Sequence, residues 1–234
     1  MALPKLNTVT YELELPSTGE SIKYRPFLVK EQKVLMMAQE SGEDQQIRDA
    51  FANIVKECTF EVVDPYSSPL FDIEYIFLRV RGKSVGEKVT LNLLCPDDEK
   101  TSVKTTIDLQ DVSVQMKEEH TNEISLNSDV KIVMGYPTLG DLGKYTATNE
   151  SETVFDMIKN CIREIHHGDE IHHAADVSEK EMVEFIESMS TENFETVAEF
   201  FDTMPKLQHI VKVKNPKTKK QGEVRIEGMQ SFFA

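Results

Sequence analysis

The chain has 234 residues, with 41 acidic against 26 basic residues, a formal net charge of −15, and three cysteines. Nucleic acid repels such a surface, and no dense basic face compensates for it, so we expect no nucleic-acid partner. No stretch approaches the ~20 apolar residues of a membrane span, we expect no signal peptide, and the odd number of cysteines predicts no disulfide framework.

The N-terminal part alternates apolar and polar residues on both sides of a loop that contains glycine. The two alternating runs, 8–15 and 21–27, predict a β-hairpin. In the helix that follows, Val34, Met37 and Ala38 are expected to share the buried face. Helical spacing of apolar residues predicts helices at 30–41, 43–57 and 72–82.

A hairpin-like pattern occurs twice. Residues 88–112 and 208–233 each contain an alternating run, an X-Pro turn with polar residues, and a second alternating run, which is typical of a two-stranded ribbon. Such ribbons often carry cysteine pairs at the turn that hold zinc. Here the turns begin at Cys95, which stands alone, and at Asn215. The ribbons therefore resemble metal-free zinc ribbons, which favours an architectural role over a catalytic one.

The second half of the chain is predicted to be mainly helical. After a strand at 123–133, apolar residues recur at helical spacing, and Ser178 with Glu181 predicts a capping box. The predicted helices are 137–145, 152–165, 178–189 and 190–204. We therefore predict an α+β fold with a mixed α/β domain at 1–135, which holds hairpins, helices and the first ribbon, and a helical domain at 136–234, to which the second ribbon returns.

A histidine cluster is one candidate for metal binding. His166, His167, His172 and His173 lie close together among acidic residues, and such a set could bind a transition metal. A defined site uses ligands at i and i+3 or i+4 on one rigid face, and adjacent pairs on both sides of Gly168 do not supply that spacing. A frayed helix end followed by a polar loop is the favoured interpretation.

The cysteines offer weaker candidates. Cys95 with Asp97 and Asp98 could form half of a zinc knuckle, but a closed zinc site needs four ligands, and turn chemistry explains these residues well. Cys161 precedes His166 by five residues, so the two would not share a helix face, and Cys161 is expected to be buried. No phosphate loop, dinucleotide fingerprint or nucleophile elbow occurs, so we expect no enzyme activity and no cofactor.

Two segments suit contact with another protein. One is an edge-like strand with the large side chains of Tyr24, Pro26 and Phe27. The other is the apolar tail with Phe232 and Phe233, which would dock on its own core or, if undocked, offer an apolar handle. These five residues are the candidate partner-binding residues.

Several runs resemble the baseplate hub assembly proteins of large contractile-tailed, T-even-type bacteriophages. The runs are 1–8, 11–19, 24–31 (Tyr-Arg-Pro-Phe-Leu-Val-Lys-Glu), 33–35 and 227–233. The resemblance spans nearly the whole chain and implies a role in tail morphogenesis in the cytoplasm of the infected bacterium or in the virion tail baseplate. Some relatives carry cysteine pairs at the ribbon turns, whereas this chain retains Cys95 alone. The resemblance transfers no catalytic residue.

The resemblance favours a non-enzymatic protein that assists assembly of the baseplate central hub by protein–protein contact. Its partners would be other hub proteins or the tape-measure protein, and its acidic surface would keep the complex soluble. A permanent structural subunit of the hub is one alternative, and a metal-binding module that uses the cluster His166–His173 is another. The oligomeric state stays open.

Overall fold

The computed structural model describes residues 6–142, 150–228 and 231. The chain divides into two compact units, one formed by Met1–Gln115 with Lys206–Ala234 and the other by Met116–Pro205. The second ribbon thus lies in the first unit. The domain limits 1–135 and 136–234 stay a prediction.

The described residues form strands and α-helices in an order that confirms the α+β fold class. The strands are β1 (Tyr11–Glu14), β2 (Ser21–Tyr24), β3 (Lys88–Leu94), β4 (Ser102–Asp108), β5 (Ser113–Gln115), β6 (Glu123–Ser125), β7 (Val130–Met134), β8 (Ile162–His167), β9 (Glu170–His173), β10 (Lys206–Lys214) and β11 (Gln221–Glu227). The helices are α1 (Val29–Ser41), α2 (Asp44–Cys58), α3 (Leu70–Val85), α4 (Leu139–Leu142), α5 (Glu150–Cys161), α6 (Glu179–Glu187) and α7 (Thr191–Thr203). None of these helices combines the length and the apolar character that a bilayer crossing requires.

The predicted hairpin and both predicted ribbons are confirmed. β1 pairs with β2, β3 with β4, and β10 with β11, all antiparallel. β10 also pairs with β5, where Leu207 lies opposite Val114, so β10 is the middle strand of a three-stranded sheet. Local alternation of apolar and polar residues was enough to predict these pairs, because it gives each ribbon one buried face.

The two ribbons share one hydrophobic core in the first unit. Alternate residues of each strand point inward and meet side chains from α3. The buried members are Leu78, Leu91, Ile107, Leu109, Val112, Leu207, Val211, Val213 and Ile226. Because burying each large aliphatic side chain contributes roughly 1.5–3 kcal/mol, this core is a main source of stability for the ribbon pair.

The buried face of α1 differs from the prediction. Ala38 is buried, as expected, but Val34 and Met37 are 40% and 58% exposed, so the prediction was wrong for these two residues. The second buried residue of α1 is Glu31, at 2% exposure. Glu31 forms a buried ion pair, described below, whereas most of the apolar side chains of this helix lie on the solvent side.

The second unit contains a four-stranded antiparallel sheet in the order β6-β7-β8-β9. Its buried face packs with residues of α5, α6 and α7 in a separate core that includes Ile132, Ile158 and Cys161. Cys161 is fully buried, which confirms the expectation for it. The predicted capping box is also confirmed, because Glu181 N donates to Ser178 Oγ at 3.3 Å and Ser178 N donates to Glu181 Oε2 at 3.0 Å.

The helix predicted at 152–165 ends at Cys161, and the next residues form β8 instead. Ile162 and Ile165 fit a helical stripe by spacing, but pairing with β7 places Ile165 opposite Ile132 and buries both. The histidine-rich segment is therefore the β8–β9 hairpin and not a frayed helix end. Gly168, at φ 58°, supports its turn because only glycine adopts this conformation at little cost.

Candidate functional site

A buried ion pair joins Arg25, directly after β2, to Glu31 of α1, within the run 24–31 that carries the family resemblance. Arg25 Nη2 donates to Glu31 Oε1 at 2.9 Å, and Leu28 N donates to Glu31 Oε2 at 2.7 Å. Burial alone would raise the pKa of Glu31, but these bonds lower it below its ordinary value. Arg25 N also donates to Cys58 O at 2.9 Å, so the pair fixes the start of α1 beside the end of α2. Its role is structural.

The predicted partner-binding residues occupy different environments. Tyr24 is 4% exposed, and its ring centroid lies 5.6 Å from that of Tyr11. Pro26 and Phe27 are partly buried, and Phe27 N donates to Ser84 Oγ at 2.9 Å. Partner binding by these three residues stays a prediction, although Tyr24 has little surface to offer. Phe232 and Phe233 lie outside the described residues.

The consecutive helices α1 and α2 form a helical hairpin. Large apolar side chains are exposed at the end of this hairpin where α1 begins and α2 ends. Lys30 Nζ lies 3.1 Å from Glu57 Oε2, which places the start of α1 beside the end of α2. Two apolar residues precede or begin α1, and two follow α2. We call these four residues the hairpin-end surface: Leu28 (40% exposed), Val29 (80%), Phe60 (50%) and Val62 (66%).

The backbone holds Phe60 in an unusual conformation. Phe60 and Glu61 have φ of 56° and 62°, in the left-handed region. This conformation costs roughly 1–2 kcal/mol for a residue with a side chain. Glu61 N donates to Lys56 O at 2.8 Å and so closes the turn after α2. The sequence alone predicts no role for Phe60 and Val62, because they lie beyond the helical stripe of α2 and no local pattern indicates a left-handed turn.

Further exposed apolar residues continue along α1. Met36 is 53% exposed and lies seven residues after Val29, so both are on the same side of the helix. Met37 is its exposed neighbour. Methionine side chains adapt to irregular partner surfaces, and methionine and aromatic residues are enriched in interface cores. This arrangement suits contact with another protein.

The turns of the two ribbons meet at Asn215, which is 1% exposed. Asn215 Nδ2 donates to Asp97 Oδ1 at 2.9 Å and to Asp98 Oδ2 at 3.0 Å. Thr218 Oγ1 donates to Asp97 Oδ2. We call Asp97, Asp98, Asn215 and Thr218 the ribbon joint. Hydrogen bonds hold the pKa of both carboxyl groups below the ordinary value. The largest effect on Asp97 comes from the hydroxyl of Thr218, and the largest effect on Asp98 comes from the hydroxyl of Thr101.

The two turns have the same backbone form. Glu99 N donates to Cys95 O, and Lys219 N donates to Asn215 O, both at 2.9 Å. The donor residue is left-handed in each turn, at φ 51° for Glu99 and 66° for Lys219. Cys95 and Asn215 are therefore equivalent positions in two equivalent turns.

The ribbons approach each other closely beside the joint. A Cβ atom added to Gly222 would lie 2.4 Å from Cγ of Pro96, a contact that real structures do not tolerate. Glycine at position 222 therefore lets β11 pass against the first ribbon's turn. The Cys95 thiol, 1% exposed, has a pKa raised by burial and by the charges of Asp97 and Asp98, which keeps it protonated.

The four histidines of the cluster do not converge on one point. In the β8–β9 register Glu164 lies opposite His173, so His166 and His173 are on one face of the hairpin and His167 and His172 are on the other. His166 Nε2 lies 2.7 Å from Glu164 Oε2, and His173 Nδ1 lies 3.4 Å from Glu164 Oε1. In the described part of the chain, no group of three or more His, Cys, Asp or Glu residues is placed to hold a metal ion.

An open groove of about 1030 Å³ lies beside β8 and the start of α6. Its wall includes Lys159, which lies 3.1 Å from Glu179 Oε1 and 3.2 Å from Asp156 Oδ1. Lys159 is thus paired with carboxylates of its own unit.

A histidine that the sequence did not single out forms a network in the second unit. His120 Nδ1 lies 3.0 Å from Thr203 Oγ1, and Nε2 lies 3.1 Å from the hydroxyl of Tyr136. The ring centroid is 5.0 Å from that of Phe200. Because Thr203 Oγ1 donates to Glu199 O at 3.1 Å, it accepts from Nδ1 and leaves Nε2 to accept from Tyr136. Burial lowers the pKa of His120, so the ring is neutral in this network.

The comparison with protein-family models matches residues 8–234 to the family described as T4 bacteriophage base plate protein. No curated protein and no solved structure matches the chain. The match covers every helix and strand described above, including both ribbons and the hairpin-end surface.

Proposed function

The chain belongs to the T4 bacteriophage base plate protein family, and we propose from this premise that it assists assembly of the baseplate central hub by protein–protein contact. In this proposal the protein is non-enzymatic, and its partners are other baseplate hub proteins or the tape-measure protein. It acts in the cytoplasm of the infected bacterium, where the baseplate is built.

The observation that carries the proposal is the hairpin-end surface. Single exposed apolar residues are ordinary on protein surfaces, but here Val29, Phe60 and Val62 are all at least half exposed at one end of a helix pair. The left-handed turn at Phe60 adds to the case, because strained backbone concentrates at functional positions. Aromatic residues are enriched in the cores of protein interfaces, which makes Phe60 the expected centre of the contact.

The negative charge of the chain favours a specific contact of limited area over non-specific association. At a net charge of −15, copies of the protein repel each other, so an exposed apolar surface does not lead to self-association. The same charge attracts a partner whose surface is basic around an apolar centre. Such a pair would associate fast and would be sensitive to salt.

The test is recovery of baseplate proteins from infected cells with the tagged, full-length chain. We expect the unaltered chain to recover hub or tape-measure proteins and the double variant Val29→Ser/Phe60→Ser to recover at least tenfold less. The expected size follows from losing two apolar contacts of roughly 1.5–3 kcal/mol each. The matched control is Val85→Ser/Leu94→Ser, which removes two exposed apolar residues elsewhere in the same unit.

Equal recovery by the double variant and the control, with both folded, would contradict the role of the hairpin-end surface. Recovery of no baseplate protein by the unaltered chain would contradict the function itself. Mass spectrometry of purified virions separates the two remaining forms of the function: absence is expected of a transient assembly factor, whereas stoichiometric copies are expected of a permanent hub subunit.

A further inference from the structure

Helix α1 contributes little to the core of its own unit. Of its 13 residues, all of which the structure describes, Glu31 and Ala38 are buried. The opposite side of the helix carries Val29 and Met36, which are 80% and 53% exposed. A helix of this length owes most of its stability in a protein to the burial of an apolar face. The apolar side of α1 therefore has no cover in the described part of this chain.

Two charged residues lie on the same side of α1 as these apolar residues. We call Val29, Lys33, Met36 and Glu40 the outward face of α1, because intervals of four, three and four residues align side chains along one side of a helix. Lys33 and Glu40 are exposed, and neither forms an ion pair with the residues that the structure describes. The face thus presents, in order, an apolar residue, an unpaired base, a second apolar residue and an unpaired acid.

This pattern restricts what can cover α1. The backbone N–H and C=O groups inside a helix are bonded to each other, so a partner cannot extend a sheet here and must contact side chains. Side chains that repeat at seven residues along one face are matched by a second helix packed alongside, with apolar residues at the seam and charges at its border. An acid of that helix would lie beside Lys33 and a base beside Glu40, roughly 10 Å apart along the axis.

We propose that the outward face of α1 docks one amphipathic helix of a baseplate partner, which carries an acidic residue opposite Lys33 and a basic residue opposite Glu40. The inference rests on the proposed function and specifies the partner segment that covers α1 next to the hairpin-end surface. The net charge of the whole chain speeds the encounter, whereas these two local charges set the register and direction of the bound helix. A second copy of this chain is the alternative occupant, which the net charge of −15 opposes.

The test exchanges the two charges and leaves the composition of the chain unchanged. Lys33→Glu/Glu40→Lys, in the tagged full-length chain, should recover about tenfold less of the partner from infected cells than the unaltered chain, because attraction becomes repulsion at both positions. The exchange should not weaken α1, since it places an acid nearer the positive N-terminal end of the helix and a base nearer its C-terminal end. Circular dichroism should show a melting temperature no lower than that of the unaltered protein.

Lys104→Glu/Glu223→Lys is the matched control, because it exchanges two exposed charges of the ribbons in the same unit at the same net charge. It should recover as much partner as the unaltered chain. Equal recovery by Lys33→Glu/Glu40→Lys and by this control would overturn the inference and leave the proposed function in place. Recovery of no baseplate protein by the unaltered chain would remove the proposed function, and the inference with it.

Photo-cross-linking identifies the covering segment without any change of charge. Benzoylphenylalanine in place of Val29 and, in a separate chain, in place of Met36 should react with one partner helix at sites about seven residues apart. An extended segment would react at sites about three residues apart, because a strand rises about 3.3 Å per residue and a helix about 1.5 Å. The shorter spacing, adducts on a second copy of this chain, or no adduct from either position would overturn the inference.

Discussion

Asn215 Nδ2 lies 2.9 Å from Asp97 Oδ1, although 118 positions separate the two residues in the chain. This contact, together with those of Asn215 with Asp98 and of Thr218 with Asp97, joins the turn of the first ribbon to that of the second. The two ribbons also share one apolar core, so the joint holds their turns together while the core holds their strands together.

The first prediction concerns the pH dependence of this joint. Asp97 and Asp98 have lowered pKa values in the folded protein, so their contribution to stability is present above the ordinary pKa of about 3.9 and is lost as the pH falls through the folded values. Asn215→Ala removes donors from both carboxylates. We expect its melting temperature to lie below that of the unaltered protein at pH 7, with a smaller gap at pH 2–3, measured by circular dichroism. An equal difference in melting temperature at pH 7 and at pH 2–3 would contradict the role of Asn215 as a donor to the two ionised carboxylates.

The second prediction concerns the buried pair at the start of α1. Glu31→Gln keeps the shape of the side chain but removes the nearer of the two carboxylates beside Arg25, leaving Glu57 at 3.8 Å, and removing one partner of a buried pair costs roughly 3–5 kcal/mol. We expect a loss of about 3 kcal/mol in the free energy of unfolding at pH 7, measured by urea denaturation. Because the pKa of Glu31 is lowered, the loss should shrink as the pH falls below the ordinary glutamate value. Lys30→Gln, which removes an exposed cation from the same network, should cost far less.

The third prediction concerns the left-handed turn after α2. Glu61 is exposed and has φ of 62°, a conformation that asparagine adopts more readily than glutamate. We expect Glu61→Asn to raise the free energy of unfolding by about 0.5–1 kcal/mol. Glu61→Val should lower it, because β-branched residues disfavour positive φ. If both variants changed stability in the same direction, strain at this position would be refuted.

The fourth prediction concerns His120. Since burial lowers its pKa, the unfolded chain binds a proton more readily than the folded one, and stability should fall as the pH drops from the ordinary histidine value of about 6.5 toward the folded value. His120→Gln should flatten the dependence of unfolding free energy on pH between 7.5 and 5. His167→Gln, which changes an exposed histidine outside this network, supplies the control, because the contribution of His120 to the slope should persist in it. Identical slopes for all three proteins would contradict a buried neutral His120.

The sequence by itself determined the features that depend on neighbouring residues. The β1–β2 hairpin, the two ribbons and the Ser178 capping box follow from alternation, turn residues and cap spacing, all of which act within a short stretch of chain. The burial of Cys161 followed from its place on an apolar stripe. Membership in the baseplate family also agrees with the resemblance of the N-terminal and C-terminal runs.

The tertiary structure decided what depends on distant partners. Ile162 and Ile165 fit a helix equally well by spacing, and only pairing with β7 made them a strand. Glu31 is buried against Arg25, which follows β2, whereas Val34 and Met37 on the same helix are exposed. No local sequence pattern predicts the contact of Asn215 with Asp97 or that of His120 with Thr203. Contacts of this kind form only when separate elements pack together.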